Sequence, residues 1–268
     1  MIKINDKLVT QAHFLDNSLR IETDYKEPIL SLDWFGKSAK ILTWYYENDA
    51  ELFTIICIRK HFDKQDMILE MPYCPHARMD RVKSSNEFFT LKHFADVINS
   101  LNFTEVKILD PHSNVCAALI NNVKVEHPLE LINKTIAAIP NNTNLVAFYP
   151  DEGAMKRGTD YVKGAYAFGI KKRDWGTGKI LGLELMNKDV VKDRDVLIID
   201  DICSRGGTFY HSAKALKEAG AKNIYLYITH CENTILEGEL LTSGLIERVY
   251  TTNSIFTKEH EKIEVFEL

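Results

Sequence analysis

Residues 196–208 read Val-Leu-Ile-Ile-Asp-Asp-Ile-Cys-Ser-Arg-Gly-Gly-Thr, and they contain the clearest signal for the type of fold. Its apolar, β-branched beginning has the length and composition of a buried strand. A helix follows the two glycines, and its apolar residues share one face: Phe209, Ala213 and Leu216. Another apolar run, 224–228, has strand character. The order strand, helix, strand predicts a βαβ unit and a mostly parallel sheet.

The same order of elements occurs earlier in the chain. Ser84-Ser85-Asn86-Glu87 predicts the start of an amphipathic helix with apolar residues at steps of three and four: Phe88, Leu91, Ala95, Ile98 and Leu101. The strand 106–109 follows and ends at Asp110-Pro111-His112. We therefore expect an α/β protein with two domains, residues 1–127 and 128–268, each a mostly parallel sheet flanked by helices.

Composition and charge exclude several classes of protein. The 268 residues carry a formal net charge of −5, which argues against a nucleic-acid partner bound through bulk positive charge. Hydrophobic residues make up 45% of the chain, so wholesale disorder is excluded. There is neither an apolar run near the ~20 residues of a membrane span nor a signal-peptide core. We expect a cytoplasmic protein without a membrane partner.

The cysteines favour a reducing compartment. The chain has 5 of them, widely spaced and without a C-x-x-C pair. A disulfide framework or a structural zinc site is therefore not expected, and free thiols are.

Residues 200–208 have the chemistry of a site for a phosphorylated sugar. Two adjacent carboxylates at a strand end can accept hydrogen bonds from the neighbouring hydroxyls of a ribose. Backbone N–H groups of a glycine-containing turn and of a helix N-terminus can hold a phosphate. The alternative is an ordinary strand–loop–helix corner with a solvated Asp pair, and the Gly-Gly-Thr sequence weighs against it.

This stretch resembles the phosphoribosyl-pyrophosphate loop of type I phosphoribosyltransferases and ribose-phosphate pyrophosphokinases. Further segments, in the family's order, select the second group: 71–81 (M-P-Y-C-P-H-A-R-M-D-R), 109–112 (L-D-P-H), 149–153 (Y-P-D-E-G), 228–230 (I-T-H) and 252–255 (T-N-S-I). The resemblance implies two phosphoribosyltransferase-like domains and at least a homodimer. It also implies transfer of a diphosphoryl group from Mg-ATP to the C1 hydroxyl of ribose 5-phosphate, releasing AMP.

The resemblance assigns roles by position. For ATP it selects Arg78, Asp80 and His112, and for the Mg²⁺ cofactor His112 and Asp151. It places Lys171 and Arg173 on a mobile catalytic loop, and His112 joins them as a catalytic residue. The glycines of 175–179 would then belong to a lid that excludes water. For the ribose hydroxyls and the 5-phosphate it selects Asp200, Asp201, Ser204, Arg205, Gly206, Gly207 and Thr208.

Several residues depart from the family's pattern. In the phosphate loop, Ser204 replaces an acidic residue and Arg205 replaces a small Thr. Met79 stands where the family has Gln. An N-terminal segment that helps to form a neighbour's adenine site has no clear counterpart here, with residues 33–36 as its nearest candidate. These changes leave the identity of the acceptor open.

One alternative concerns the acceptor, and two concern the function of the protein. The acceptor could be ADP-ribose, whose terminal ribose also has a free C1 hydroxyl, which would connect the enzyme to NAD metabolism. The chain could be a non-catalytic, nucleotide-binding relative, although such proteins lose the Lys/Arg and Asp pairs that persist here. It could be a phosphoribosyltransferase, but the segments around Arg78 and His112 are absent from that group.

Overall fold

The structure is a computed structural model that describes residues 1–24, 31–32, 38–140, 142–159, 161–162, 164–173 and 180–268. At residues 31–32, 38, 171–173 and 180–182 the description covers the backbone only. The chain divides into two units, Met1–His127 and Pro128–Leu268.

The first unit has one sheet in the order β3-β2-β1-β5-β6-β7-β8, with β4 paired to β5. Strands β5 to β8 are parallel, and β1, β2 and β3 extend the sheet with antiparallel pairs. The strands are β1 (Ile2–Ile4), β2 (Lys7–His13), β3 (Leu19–Thr23), β4 (Ser31–Leu32), β5 (Ser38–Trp44), β6 (Met67–Glu70), β7 (Glu105–Leu109) and β8 (Val123–Glu126). The helices are α1 (Glu51–His61), α2 (Thr90–Ser100) and α3 (Asn114–Leu119).

The second unit has a sheet in the order β11-β10-β9-β12-β13-β14-β15. Its pairs are parallel except for the β10–β11 hairpin. The strands are β9 (Leu145–Tyr149), β10 (Tyr166–Arg173), β11 (Ile180–Met186), β12 (Asp195–Cys203), β13 (Ile224–Cys231), β14 (Arg248–Thr252) and β15 (Ile263–Phe266). The helices are α4 (Leu129–Ala138), α5 (Glu152–Gly158) and α6 (Gly207–Glu218).

Each unit has its own hydrophobic core. The apolar part of β12, residues 196–199, is buried on both faces, as expected for a central parallel strand covered by helices. All residues of β13 are buried as well. Among the described helices, none is long and apolar enough to cross a membrane. The predicted fold class, α/β with two mostly parallel sheets flanked by helices, is confirmed.

The predicted start of α2 is wrong by several residues. The helix begins at Thr90, and Phe88 is 78% exposed instead of lying on its buried face. The Glu87 carboxylate accepts a hydrogen bond from the Lys83 backbone N–H at 2.7 Å, and the Glu87 N–H donates to the Ser84 carbonyl. These polar residues therefore close a separate turn before the helix and do not cap it.

Two of the cysteines, Cys74 and Cys116, are close neighbours. The sulfur atoms of Cys74 and Cys116 are in contact within the first core. Their Cα atoms lie 7.5 Å apart, beyond the ~4.4–6.8 Å span of disulfides, so we describe them as two buried neighbouring sulfurs. The other cysteines are free, with Cys203 and Cys231 buried side by side on β12 and β13.

Candidate active site

Asp200 and Asp201 lie near the carboxyl end of β12, the central strand of the second sheet. Their side chains are 12% and 4% exposed. The neighbours β9 and β13 run parallel to β12, so their carboxyl ends reach the same edge of the sheet. In open α/β sheets this edge is where ligands bind.

A cation that the sequence did not single out contacts both carboxylates. The Nη2 atom of Arg157 donates to Asp201 Oδ1 at 2.6 Å and lies 3.3 Å from Asp200 Oδ1. Arg157 belongs to α5, the helix that follows β9. In the sequence, Arg157 is marked only as a basic residue of the helix that follows a strand next to β12. Many helix surfaces carry such residues, so this feature does not identify it.

The charge around Asp200 is dominated by other carboxylates. Burial, then Asp201 and then Asp151, raise the pKa of Asp200 well above its ordinary value, and the charge of Arg157 acts in the opposite direction. Asp151 itself caps α5, because its Oδ1 accepts the Ala154 N–H at 3.0 Å. Acceptor oxygens are therefore concentrated at this edge of the sheet, as binding of hydroxyl groups or of a cation requires.

Residues 204–208 connect β12 to the first turn of α6, and the backbone is exposed at Gly207 but buried at Gly206. Gly206 has a left-handed φ of +79°, and Gly207 is the first residue of α6. A Cβ atom added at Gly207 would meet no atom within 4 Å. The first N–H groups of a helix have no acceptor within the helix, so this corner can receive a phosphate.

Arg205 lies on the outer side of this loop. Its side chain is 74% exposed, and its Nη2 atom donates to Glu237 Oε2 at 2.9 Å. Behind the loop, a Cβ atom added at Gly238 would lie 1.9 Å from the Arg205 carbonyl oxygen. The turn that ends at Gly238 therefore supports the loop closely, and the Arg205 cation is held by an exposed ion pair.

The segments predicted to handle ATP are neighbours within the first unit. Residues 71–80 follow β6 and residues 109–112 end β7, the adjacent parallel strand. The Met71 N–H donates to the Lys107 carbonyl at 2.9 Å, and the Leu109 N–H donates to the Pro72 carbonyl at 3.1 Å. These bonds continue the ladder past the end of β6, so both segments leave the sheet side by side.

The candidate ATP residues differ in exposure. Arg78 is exposed, His112 is half-buried, and the Asp80 side chain is 18% exposed. His76 and Asp110, close to them in sequence, both have left-handed backbones, with φ of +61° and +43°. Non-glycine residues in this region cost roughly 1–3 kcal/mol, and such residues are frequent in ligand-binding segments.

Lys171 and Arg173 have their backbones in β10 and not in a loop, opposite Leu183 and Ile180 of β11. Their side chains lie outside the described part of the chain. The predicted lid, 175–179, and the candidate adenine segment, 33–36, also lie outside the described residues. The structure therefore leaves these assignments as predictions.

The site residues fall into two sets. Asp151, Asp200, Asp201 and the loop 204–208 belong to the second unit, and Arg78, Asp80 and His112 belong to the first. Within the described ranges, no group of three or more His, Cys, Asp or Glu side chains is arranged to hold a metal ion alone.

The sequence of the chain is similar to those of ribose-phosphate pyrophosphokinases. No protein-family model matches the chain. It is 30% identical over 228 residues to ribose-phosphate pyrophosphokinase 2 of Enterococcus faecalis, which covers 81% of this chain and 68% of that protein. It is 28% identical over 220 residues to the chloroplastic ribose-phosphate pyrophosphokinase 2 of rice, Oryza sativa, covering 80% of this chain and 54% of the rice protein. The chain thus spans about half the length of the rice relative.

The fold also resembles a solved structure. The crystal structure of phosphoribosylpyrophosphate synthetase from Mycobacterium smegmatis superposes with a TM-score of 0.76, covering 97% of this chain and 86% of that one at 17% identity. Fold and site together define an α/β protein built from two phosphoribosyltransferase-like units. Within that class, the sequence relatives show that the chain belongs to the ribose-phosphate pyrophosphokinase family.

Proposed function

We propose that this chain is an ATP-dependent diphosphokinase. It transfers the β,γ-diphosphoryl group of Mg-ATP to the C1 hydroxyl of ribose 5-phosphate, or of a compound that contains it, and releases AMP. The observation that carries the proposal is the buried Asp200–Asp201 pair followed by the exposed Gly207 at the start of α6, in a chain that belongs to this family.

The second unit supplies the acceptor site in this proposal. Asp200 and Asp201 accept hydrogen bonds from the ribose hydroxyls, which are charge-assisted and so stronger than neutral ones. Ser204, Gly206, Gly207 and Thr208 receive the 5-phosphate through backbone N–H groups and hydroxyls. The accessible backbone at Gly207 supports this assignment.

Arg78, Asp80 and His112 are assigned to ATP. In the reaction, the acceptor's C1 oxygen forms a bond to the β-phosphorus as the bond from that phosphorus to the oxygen bridging to the α-phosphorus breaks. The C1 hydroxyl loses its proton, and AMP leaves with the bridging oxygen. Both substrates are anionic, so we assign Lys171 and Arg173 to stabilising the charge of the transition state.

Magnesium ion is part of the proposal because the second unit has suitable donors. Mg²⁺ prefers oxygen ligands and commonly uses one or two carboxylates together with substrate phosphates. The carboxylate of Asp151, at the edge of the sheet where the acceptor oxygens are concentrated, fits that role. His112, with nitrogen donors, is better suited to contacting a phosphate than to binding Mg²⁺. The bound ion would neutralise phosphate charge.

The biological setting is proposed by analogy with the family. The product with ribose 5-phosphate is phosphoribosyl pyrophosphate, a precursor for nucleotide biosynthesis. We place the protein in the cytoplasm as a homodimer or a larger homo-oligomer, acting on small molecules and not on nucleic acid or membranes.

A second acceptor, ADP-ribose, is proposed from the phosphate loop alone. A diphosphate that continues outward from the ribose needs space beside the loop and positive charge on its outer side. Gly207 adjoins open space, and the exposed Arg205 lies two residues away. The product would be ADP-ribose pyrophosphate, a compound of NAD metabolism. The names of the relatives favour ribose 5-phosphate instead.

The test is incubation with Mg-ATP and each acceptor separately, with AMP and the diphosphorylated sugar detected by mass spectrometry. We expect AMP to appear in proportion to the sugar product with at least one acceptor. An Asp200→Asn/Asp201→Asn double variant controls for contaminating activity. Nucleotide binding without AMP formation from either acceptor would identify a non-catalytic relative and refute the proposal.

A further inference from the structure

We infer that Arg157 is a positioning residue for the acceptor, which sets the direction of the Asp200 and Asp201 carboxylates. This inference rests on the proposed function. Arg157 approaches the Oδ1 atoms of both carboxylates from a single nitrogen, at 2.6 and 3.3 Å. Neither the sequence patterns nor the roles assigned above include it.

Arg157 contacts the two carboxylates in a largely buried position. Arg157 is 29% exposed, whereas the carboxylates it reaches are 12% and 4% exposed. Ion pairs that solvent surrounds contribute little, but a cation that faces nearly buried carboxylates acts through a lower effective dielectric constant. The contact is therefore unlike the exposed pair that Lys156 makes with Glu152 at 3.9 Å on the same helix.

Helix α5, which carries Arg157, is fixed at both of its ends. At its start, the Asp151 carboxylate caps the helix. At its end, the Tyr149 hydroxyl donates to the Gly158 carbonyl at 2.7 Å, and a Cβ atom at Gly158 would lie 2.3 Å from the Tyr149 ring. Only a glycine allows this approach, so the backbone beside Arg157 is held directly against β9. A guanidinium carried on such a backbone can define the geometry of its partners.

The proposed ligand, a ribose, requires well-oriented acceptors. Two hydroxyls on neighbouring carbons of a ribose require acceptors in a fixed relative direction. Arg157 engages one oxygen of each carboxylate, and the Asp201 N–H also donates to Asp200 Oδ1 at 3.0 Å. Fixing one oxygen fixes the direction of the other. Arg157 therefore orients the acceptor oxygens that would face the two hydroxyls.

The experiment compares Arg157→Gln, Arg157→Lys and the matched control Lys156→Gln, which removes a positive charge from an exposed position of the same helix. Ribose 5-phosphate, ADP-ribose and Mg-ATP are titrated separately by calorimetry, and KM and kcat are measured for the acceptor that the wild type uses. We expect Arg157→Gln to weaken acceptor binding by about 10- to 100-fold, the effect of losing interactions with a charged group. The KM for ATP should stay within about twofold, since ATP is assigned to the first unit. Arg157→Lys should recover part of the loss, because it restores the charge without the planar fork.

The outcomes separate this role from a structural one and from the proposed function. The positioning role of Arg157 is overturned if Arg157→Gln weakens the binding of ATP and of the acceptor equally. It is also overturned if Arg157→Gln binds the acceptor as tightly as Lys156→Gln does. If Arg157→Gln does not fold, Arg157→Lys alone decides, because its acceptor KM must rise while its ATP KM does not. A wild type that neither binds an acceptor nor forms AMP would refute the proposed function and this role with it. If instead the wild type turns over normally and Arg157→Gln binds the acceptor as tightly as the wild type, only the role of Arg157 is refuted.

Discussion

The hydroxyl of Tyr149, the last residue of β9, donates a hydrogen bond to the carbonyl oxygen of Gly158, the last residue of α5, at 2.7 Å. The Tyr149 ring leaves no room for a side chain at Gly158, where a Cβ atom would lie 2.3 Å from it. Gly158→Ala should therefore lower the free energy of unfolding by about 1–3 kcal/mol, the usual cost of overpacking. Urea unfolding of the two proteins measures the difference.

Tyr149→Phe is the companion variant. It removes the hydroxyl and keeps the ring, so we expect a loss of about 0.5–1.5 kcal/mol from the hydrogen bond alone. Alanine at Gly153 of the same helix has a milder contact, 3.2 Å from an Asp151 oxygen, and provides the control for general effects on α5. If Gly158→Ala and Gly153→Ala have the same free energy of unfolding, β9 and α5 separate easily at Gly158, contrary to the packing described.

Local patterns predicted the elements that carry the acceptor site. The apolar run before Asp200 and the two glycines after Arg205 identify a strand and a helix start from adjacent residues alone, and the structure has β12 and α6 there. The strand is longer than the apolar run predicts, because β12 continues through Asp200 and Asp201 to Cys203. Side-chain polarity does not end a strand whose backbone is paired, and β13 pairs with β12 along this length.

Contacts between distant residues could not be predicted in this way. Arg157 meets Asp201 across 44 positions of sequence, and Arg205 meets Glu237 across 32. Such pairs depend on the order of strands in the sheet and on where each helix begins, which a single sequence leaves open. The start of α2 differs from the prediction for a local reason, since the Glu87 carboxylate accepts a hydrogen bond from the Lys83 N–H, four residues earlier, and does not cap the helix.

Asp200 predicts a specific dependence of stability on pH. Burial and the neighbouring carboxylates raise the pKa of Asp200 in the folded protein, whereas the unfolded chain has the ordinary value near ~3.9. Its contribution to stability is therefore complete below that value and is lost as pH rises through the raised pKa. Each tenfold change in the dissociation constant corresponds to about 1.4 kcal/mol.

Asp200→Asn removes this titration, so the stability of the variant relative to the wild type should increase with pH above about 4. Thermal unfolding from pH 4 upward, in the absence of ligands, measures the trend, with Glu218→Gln at an exposed position as the control. A difference between the variant and the wild type that does not change with pH would contradict the raised pKa. In acceptor titrations the same variant should bind ribose 5-phosphate more weakly by roughly 1.5–3 kcal/mol.

Lys171→Ala and Arg173→Ala test the assignment of positive charge to the transition state. Each should lower kcat by about 10²–10³, the usual scale for removing one stabilising donor. Lys172→Ala, between them in β10, removes a charge from the same strand at a position to which the family resemblance assigns no role. Rapid-quench measurement of AMP formation separates the chemical step from product release. Equal rates for all three variants would remove Lys171 and Arg173 from the catalytic machinery.

Arg205 is the residue through which the choice of acceptor can be tested. Its guanidinium is 74% exposed and paired with Glu237, so it is held at the outer side of the loop 204–208 and can exchange that carboxylate for a phosphate. Ser204 does not bring the negative charge that an acidic residue would, and Gly207 adjoins open space. A diphosphate extending from the ribose would find a planar donor of two hydrogen bonds there.

With equimolar ribose 5-phosphate and ADP-ribose, the extended acceptor predicts ADP-ribose use that falls about 10-fold or more in Arg205→Thr, while ribose 5-phosphate use changes little. Glu237→Gln, which releases the guanidinium, should leave ADP-ribose use equal or increased. Exclusive use of ribose 5-phosphate by the wild type would exclude the extended acceptor and identify Arg205 as a surface cation.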